Sequence, residues 1–503
     1  MNEELNEQQI IRREKLTKLR TVEYPYPNDV KITADSEKIN ELVKIATSEN
    51  LTELQQTEKL EALKTQTFTL AGRLMSQRLM GKAAFSNLQD QTGQIQFYIR
   101  KDDVGDEIFA TYKNLDIGDI IEISGYPFRT KTGESSLHLQ KIRLLAKCLN
   151  PLPEKWHGLT DKELRYRQRY VDLIVNPEVR EVFVKRSQII QYIRTFFFEH
   201  GYLEAETPFL SAIASGANAR PFETHHNALD LNLHLRISPE LYLKRLITGG
   251  FNRVFDMGKM FRNEGIDLKH NPEFTMIEFY QAYATYEDLM HLTEDLIGQI
   301  CDKIIGSRQI EYDGKIIDWT APWERLNMVE AIYKYLNIPK SIDLYTLAGV
   351  KQAAKLVGFD GVEHEENYGL AMYELFDSQV ESKIINPTFI TRHPLEISPL
   401  SRPALDDPRF VDRFELFVNG TELANAFNEL NDPEDQEQRF LKQAEAKAAG
   451  DEEAMEYDAD FVNALSYGMP PTAGEGIGID RLVMLLTGNT SIRDVMLFPL
   501  MRP

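Results

Sequence analysis

A fork-shaped cation, an aromatic ring and a carboxylate follow one another closely at Arg262, Phe274 and Glu278. Arg262 opens the polar loop Arg262-Asn263-Glu264-Gly265, which closes at Asn271-Pro272, and the runs 254–261 before it and 274–280 after it read as strands. A guanidinium suits a carboxylate or phosphate, a ring suits the face of a purine, and a carboxylate suits an amine. In the second strand a period of two sets Phe274, Met276, Glu278 and Tyr280 on one face, with Thr275, Ile277 and Phe279 on the other. The first face reads as a substrate site and the second as a packing surface; the plainer alternative is an edge hairpin with surface ion pairs. His270, beside Lys269 in the loop, is placed to touch a phosphate.

A second set of groups sits on an Asn-Gly hairpin. If Val418 faces Thr421 across the two-residue turn Asn419-Gly420, then Phe417 faces Glu422 and Leu416 faces Leu423. Glu415 then shares a face with Glu422 and lies diagonal to it. Carboxylates so placed repel unless a cation lies between them, and hard oxygen donors suit magnesium carrying nucleotide phosphates. The alternative is a pair of exposed acids on an edge strand. The same pleat turns Asn425, Phe427 and Glu429 away from Glu422 unless a bulge re-aims the strand. His225-His226 makes no metal site, since adjacent strand residues point to opposite faces and no third ligand stands at a metal spacing. Further on, Gly474, Gly476 and Gly478 alternate before an apolar helical run carrying Arg481, a pattern that permits close backbone approach and an anion at the helix start.

Together these segments resemble the class II aminoacyl-tRNA synthetases. The Phe261-Arg262-Asn263-Glu264-Gly265 turn and its strand resemble their motif 2, residues 474–486 resemble motif 3, and residues 188–198 running into Gly201-Tyr202-Leu203-Glu204-Ala205-Glu206-Thr207-Pro208 resemble motif 1. Residues 220–227, 239–246 and 422–432 are similar to the bacterial-type lysyl-tRNA synthetases, and the likeness covers nearly the whole chain. Ser215 departs from it, standing beside Gly216 where a second glycine is usual.

The resemblance implies activation of lysine by ATP to lysyl-adenylate, then transfer to the 3' end of tRNA(Lys). It implies Arg262 and Arg481 as catalytic residues, and ATP contacts from Arg262, Glu264, His270, Phe274 and Arg481. For lysine it implies Gly216, Glu240, Arg262, Glu278, Tyr280, Asn425, Phe427 and Glu429, with Glu429 and Tyr280 at the side-chain ammonium and Glu240 and Glu278 at the α-amino end or pocket wall. Glu415 and Glu422 would hold Mg2+, and motif 1 would form a homodimer. An aspartyl- or asparaginyl-type synthetase would need cations or amide ligands in the pocket, which residues 425–429 argue against. A lysine-activating paralogue that modifies elongation factor P lacks the N-terminal barrel. A catalytically silent RNA-binding regulator is disfavoured by intact Arg262, Glu415, Glu422 and Arg481.

The elements that must position these groups follow from the texture of the chain. Its 503 residues, 42% hydrophobic, can bury more than one core, and an α+β multidomain organisation is expected. Residues 1–64 read as a helical arm, charged over 3–20, broken at Tyr24-Pro25-Tyr26-Pro27 and helical again over 36–64. Short alternating runs over 65–150 predict a small β-barrel similar to an OB-fold, with Arg78, Phe85 and Gln96 placed to read single-stranded RNA. The resemblance makes that RNA the anticodon and adds Glu134; the alternative is that Phe85 is simply barrel core. Residues 151–175 read as a linker. Residues 176–503 form the expected catalytic domain, a mostly antiparallel sheet flanked by helices, with a helical insertion at about 285–385.

The formal charge of −21 argues against indiscriminate nucleic-acid binding. Residues 1–150 hold 21 Lys and Arg against 22 Asp and Glu, so nearly all the excess lies downstream, where it suits a cationic small substrate. No apolar run approaches membrane-spanning length, and the N-terminus lacks an export signal, which predicts a cytoplasmic protein with no membrane partner. Cys148 and Cys301 fit neither a disulfide framework nor a zinc site.

Overall fold

The computed structural model describes residues 5–22, 24–153, 159–451 and 453–502. The chain divides into two compact units, Met1–Gly158 and Leu159–Pro503. Residues 1–4 of the expected arm and 154–158 of the expected linker lie outside the described residues.

In the first unit α1 (Glu7–Leu19) starts on a reciprocal cap between Asn6 and Gln9. The single helical stretch expected over 36–64 is two helices, α2 (Ser36–Ala46) and α3 (Glu53–Leu63), because Thr52 and Gln55 form a fresh cap that restarts the helix. There follow β1 (Phe68–Met80), β2 (Ala83–Gln89), β3 (Gln94–Arg100), α4 (Lys101–Asn114), β4 (Ile120–Arg129) and β5 (Ser135–Ala146), the strands closing into a barrel in the order β1-β2-β3-β5-β4. Alternate residues fill its interior, among them Leu70, Leu74, Ala84, Leu88, Ile95, Phe97, Ile99, Ile121, Ile123 and Leu137. Phe85, Gln96 and Tyr98 fall in the opposite phase and are half-buried, so Phe85 is no part of the barrel core. The unexpected α4 sets Phe109 and Tyr112 against that core.

In the second unit, residues 162–175 are not linker but two short helices, α5 (Lys162–Arg167) and α6 (Arg169–Val175). Asp161 caps the first. The second is anchored by a fully buried Arg169–Asp172 ion pair at 2.6 Å, with Arg169 also donating to the carbonyls of Arg493 and Leu497. In sequence such charges pass for solvated ones. Next come α7 (Pro177–Glu199), with proline in its first turn, β6 (Leu203–Glu204), and a small sheet of β7 (Leu210–Ser211), β8 (Glu223–His226) and β9 (Leu231–Leu235). Then follow α8 (Glu240–Thr248), β10 (Arg253–Phe261), β11 (Glu273–Ala282) and α9 (Tyr286–Ile300).

The stretch expected as a helical insertion mixes helix and strand: β12 (Gln309–Tyr312), β13 (Lys315–Asp318) and β14 (Glu324–Asn327) precede α10 (Met328–Leu336), α11 (Leu347–Leu356) and α12 (Tyr368–Gln379). Asp313-Gly314, with φ of 51° and 72°, turns β12 into β13, a hairpin signal masked by the helical texture on either side. The helices bury a core of their own around Met328, Ile332, Val350, Met372 and Phe376. The chain closes with β15 (Thr388–Thr391), β16 (Arg413–Phe417), β17 (Glu422–Asn428), α13 (Pro433–Ala448), α14 (Ala459–Ser466), β18 (Thr472–Gly478) and α15 (Ile479–Thr487).

Eight strands form the central sheet in the order β14-β15-β16-β17-β18-β11-β10-β6, antiparallel except at the edge pairs β14–β15 and β10–β6. Its buried face meets α7, α9 and α15 through Phe197, Phe255, Phe279, Ile297 and Leu482. The α+β class and the mostly antiparallel sheet agree with expectation. Among the described residues no helix is long and apolar enough to cross a membrane, and both cysteines are free.

Candidate active site

The pleat of β11 carries Phe274, Met276, Glu278 and Tyr280 into a cavity of about 480 Å³ and sends Ile277 and Phe279 to the core. Beside it, Gly474, Gly476 and Gly478 line the same cavity. The glycine run expected as a loop is a strand, paired with β11 on one side and β17 on the other. The glycines supply clearance instead, since a Cβ at 474 would collide with the Tyr280 ring and with Glu429.

Asn419 and Gly420, with φ of 45° and 61°, make the tight turn between β16 and β17, and Val418 and Thr421 exchange backbone hydrogen bonds of 2.9 and 3.1 Å. Phe417 faces Glu422 as the turn requires. The register then shifts: Leu416 faces Ala424, not Leu423, and Glu415 faces Asn425. This bulge at Leu423 is what aims Glu422, Asn425 and Phe427 into one cavity despite the pleat.

Arg262 follows β10, its guanidinium 5.2 Å from the Phe274 ring centroid and its Nε buried without a partner. Burial lowers its pKa, while Glu264, Glu422 and Glu278 oppose that shift. Arg481, in the first turn of α15, donates to the Glu422 carbonyl at 2.6 Å and reaches His270 Nε2 at 2.9 Å. His270 in turn places Nδ1 2.8 Å from Asp267, so Nδ1 carries the proton and Nε2 accepts. Glu264 is exposed on the cavity lining.

Glu415 is buried and accepts from Arg413 at 2.5 Å; Arg413 also donates to Asn425 Oδ1 and Ser398 Oγ, each at 2.9 Å. Arg413 was not anticipated, although it lies two residues from Glu415 on the same strand face. Burial raises the pKa of both Glu415 and Glu422, and Glu415 raises Glu422 further. Among the described residues no group of three or more His, Cys, Asp or Glu side chains is arranged to hold a metal ion. Two carboxylates alone fit a magnesium ion that keeps water and takes its other oxygens from phosphates.

At the far end of the cavity Ser238 Oγ and the Tyr280 hydroxyl donate to Glu278 at 2.8 and 3.1 Å. Burial, then the nearby Glu240, pushes Glu278 up to about 8. Glu240 accepts from Lys244 at 2.5 Å, and Gly216, with φ of 95°, packs beside Ser238 and Glu240. Glu429 does not line the cavity; it lies behind Gly474 and is ion-paired with Lys244. Lys244 was missed, although Glu240 and Lys244 hold the helical i,i+4 spacing. Also missed was Asp480, which accepts from the Thr275 amide at 2.6 Å and pairs with Arg186 of α7 at 2.6 Å.

A carboxyl whose pKa is raised on folding binds more protons in the folded state, so its contribution to stability falls as pH climbs from its unfolded value towards the folded one. Glu278, with Glu240 and Glu429 raised in the same direction, is expected to make the ligand-free protein melt at a lower temperature at pH 9 than at pH 6. A melting temperature that is flat or rises over that interval in thermal scans would contradict this.

On the barrel, Phe85 packs against Tyr98 with centroids 4.9 Å apart, and exposed Arg78 pairs with it across β1 and β2. Gln96 donates to Glu134 at 2.9 Å and accepts from Ser136 at 2.9 Å. Tyr98, Phe128 and His138 extend this outer aromatic face, with Tyr126 stacked on His138 at 4.8 Å. The pleat of β3 would have found Tyr98.

Comparison with known proteins agrees with both units. Residues 161–502 match the family described as tRNA synthetases class II (D, K and N), and residues 68–145 match the OB-fold nucleic acid binding domain. The chain is 51% identical over 507 residues to the Lysine–tRNA ligase of Pelotomaculum thermopropionicum, covering 100% of this chain and 96% of that one. It is 55% identical over 446 residues to the Lysine–tRNA ligase of Syntrophomonas wolfei, covering 89% and 90%. With that of Salmonella paratyphi C it shares 49% over 501 residues, covering 99% and 97%. With the first of these family matches covering most of the chain, this chain belongs to the class II tRNA synthetases (D, K and N).

Proposed function

We propose that this class II synthetase joins L-lysine to tRNA(Lys) at the expense of ATP. The observation that carries the reading is the acidic end of the cavity, where Glu240 and Glu278 are buried in the lining and Glu429 lies behind Gly474, with Lys244 paired to Glu240 and Glu429. Such a pocket suits a substrate with two ammonium groups and penalises one that leaves a buried carboxylate unpaired. Relatives named Lysine–tRNA ligase over the full chain support the same choice.

In the first step a lysine carboxylate oxygen attacks the α-phosphorus of ATP; the new P–O bond forms as the bond to pyrophosphate breaks. No protein nucleophile is needed, so the residues act by alignment and charge. Arg262 contacts the α-phosphate and the lysine carboxylate, Arg481 and His270 the other phosphates. Phe274 offers its ring to adenine and Glu264 accepts from the adenine amino group. Glu240 and Glu278 hold the α-ammonium, Glu429 and Tyr280 the side-chain end, with Gly216, Asn425 and Phe427 closing the walls. Glu415 and Glu422 would hold magnesium, which would supply positive charge against the phosphates. In the second step the terminal ribose hydroxyl of tRNA attacks the carbonyl and AMP leaves. The anticodon reaches Arg78, Phe85, Gln96 and Glu134, the protein works as a homodimer through motif 1, and its compartment is the cytoplasm.

The test is ATP–pyrophosphate exchange with each amino acid in turn. Exchange is expected with lysine and magnesium and without tRNA; stimulation by aspartate or asparagine and not by lysine would overturn the assignment. Phe85→Ala is expected to weaken tRNA charging by about 1 to 3 kcal/mol, the value of one base–aromatic stack, while exchange stays intact. Unchanged charging by this variant would remove the stacking role.

A further inference from the structure

The acidic end of the cavity holds a cation that belongs to the protein itself. Lys244 is fully buried on α8, with Nζ 2.5 Å from Glu240 Oε1 and paired with Glu429 Oε2. The rings of Phe427, Phe461 and Tyr280 surround it, with centroids 5.4, 5.9 and 6.0 Å from Nζ. Glu278, on β11, is held by two hydroxyls and, among the described residues, by no cation at hydrogen-bond distance. Two other cations face this cluster. Arg413 of β16 is engaged by Glu415 and Asn425, and Arg262 lies over Phe274. The set Glu240, Glu278, Glu429 and Lys244 therefore stands two positive charges short of neutral when its carboxyls are ionised. Lysine brings two ammonium groups.

We propose that Lys244 is a positioning residue for substrate specificity: by pairing with Glu240 and Glu429 it favours their carboxylate forms, and so sets the deficit of the pocket towards two charges, the number of ammonium groups on the amino acid admitted. The inference rests on the lysine reading above and adds a residue that never touches the substrate. Burial drives a carboxyl to take up a proton, as Glu278 illustrates with its value of about 8; burial acts the same way on Glu240 and Glu429, where Lys244 opposes it. Deprived of Lys244, Glu429 and Glu240 would follow Glu278, and a neutral carboxyl is a poor partner for an ammonium.

The experiment compares wild type, Lys244→Met and Lys244→Arg as full-length proteins in lysine-dependent ATP–pyrophosphate exchange from about pH 6.5 to 9, with melting temperatures alongside. Lys244→Met is expected to raise the KM for lysine about tenfold or more at pH 7, with the KM for ATP within about twofold of wild type. The defect should shrink as pH rises, because deprotonation restores the carboxylates, and Lys244→Arg should recover most of the affinity. A lysine KM unchanged in Lys244→Met, a defect equal at every pH, or Lys244→Arg as impaired as Lys244→Met while melting with wild type would each overturn the proposal. Should Lys244→Met fail to fold, calorimetric titration of wild type with lysine, in buffers of different ionisation enthalpy, decides the matter. Proton release on binding near pH 7 is expected, and its absence overturns the proposal. Wild-type exchange that ignores lysine would instead sink the lysine reading, whatever the variants do.

Discussion

Arg262→Ala is expected to lose about 2 to 3 kcal/mol or more of transition-state stabilisation in lysine-dependent exchange, roughly 30- to 150-fold in kcat/KM, the scale of removing one preorganised donor from a site of developing charge. Arg262 is the side chain on which the two reacting groups converge in the proposed mechanism. Its Nε is buried with no hydrogen-bond partner among the described residues. Burial lowers its pKa, yet a guanidinium stays charged at neutral pH, so its charge is available without reorganisation. The melting temperature should move little, since the guanidinium lies over the Phe274 ring and its buried Nε makes no hydrogen bond among the described residues. An Arg262→Ala protein with wild-type exchange would show that the residue merely supports the loop.

Glu429→Gln is expected to have a comparable effect on the other substrate. The change keeps the volume, removes one charge and leaves Lys244 with Glu240 alone. Breaking one side of a buried ion pair costs about 3 to 5 kcal/mol, divided here between stability and lysine binding. The KM for lysine should rise about 30-fold or more while that for ATP stays nearly constant. Equal losses for both substrates would point to a folding defect or to a role near the phosphates.

Much of this was legible in the chain because local rules sufficed. A period of two sorted Phe274, Met276, Glu278 and Tyr280 from Ile277 and Phe279, and Asn419-Gly420 fixed the start of a hairpin register. The bulge at Leu423 was posed by the sequence as a contradiction between Glu422 and Asn425, yet only the pairing with β16 could place the extra residue. Groups whose role depends on partners remote in sequence stayed hidden. Arg169 looked like part of a polar linker because its carbonyl partners lie near the C-terminus. Lys244 sat within a stretch already singled out, but its meaning required Glu429, which arrives from just beyond the end of β17. The glycines of β18 read as a loop because glycine disfavours strands on its own; neighbours on both sides overrule that preference.

Those glycines make the cavity floor out of what they lack, and the two nearest Glu278 differ in how firmly their surroundings resist a methyl group. At 476 an added carbon would meet the mobile end of Met276 at 3.0 Å and Glu278 Cγ at 3.5 Å, whereas at 474 it would strike an aromatic ring whose hydroxyl is tied to Glu278. One position is a fine adjustment and the other a hard stop. Together they form a gauge for how bulky a side chain the site accepts, and because an added carbon would meet Glu429 at 474 and Glu278 at 476, that gauge is tied to the same carboxyls that decide the chemical kind of the substrate.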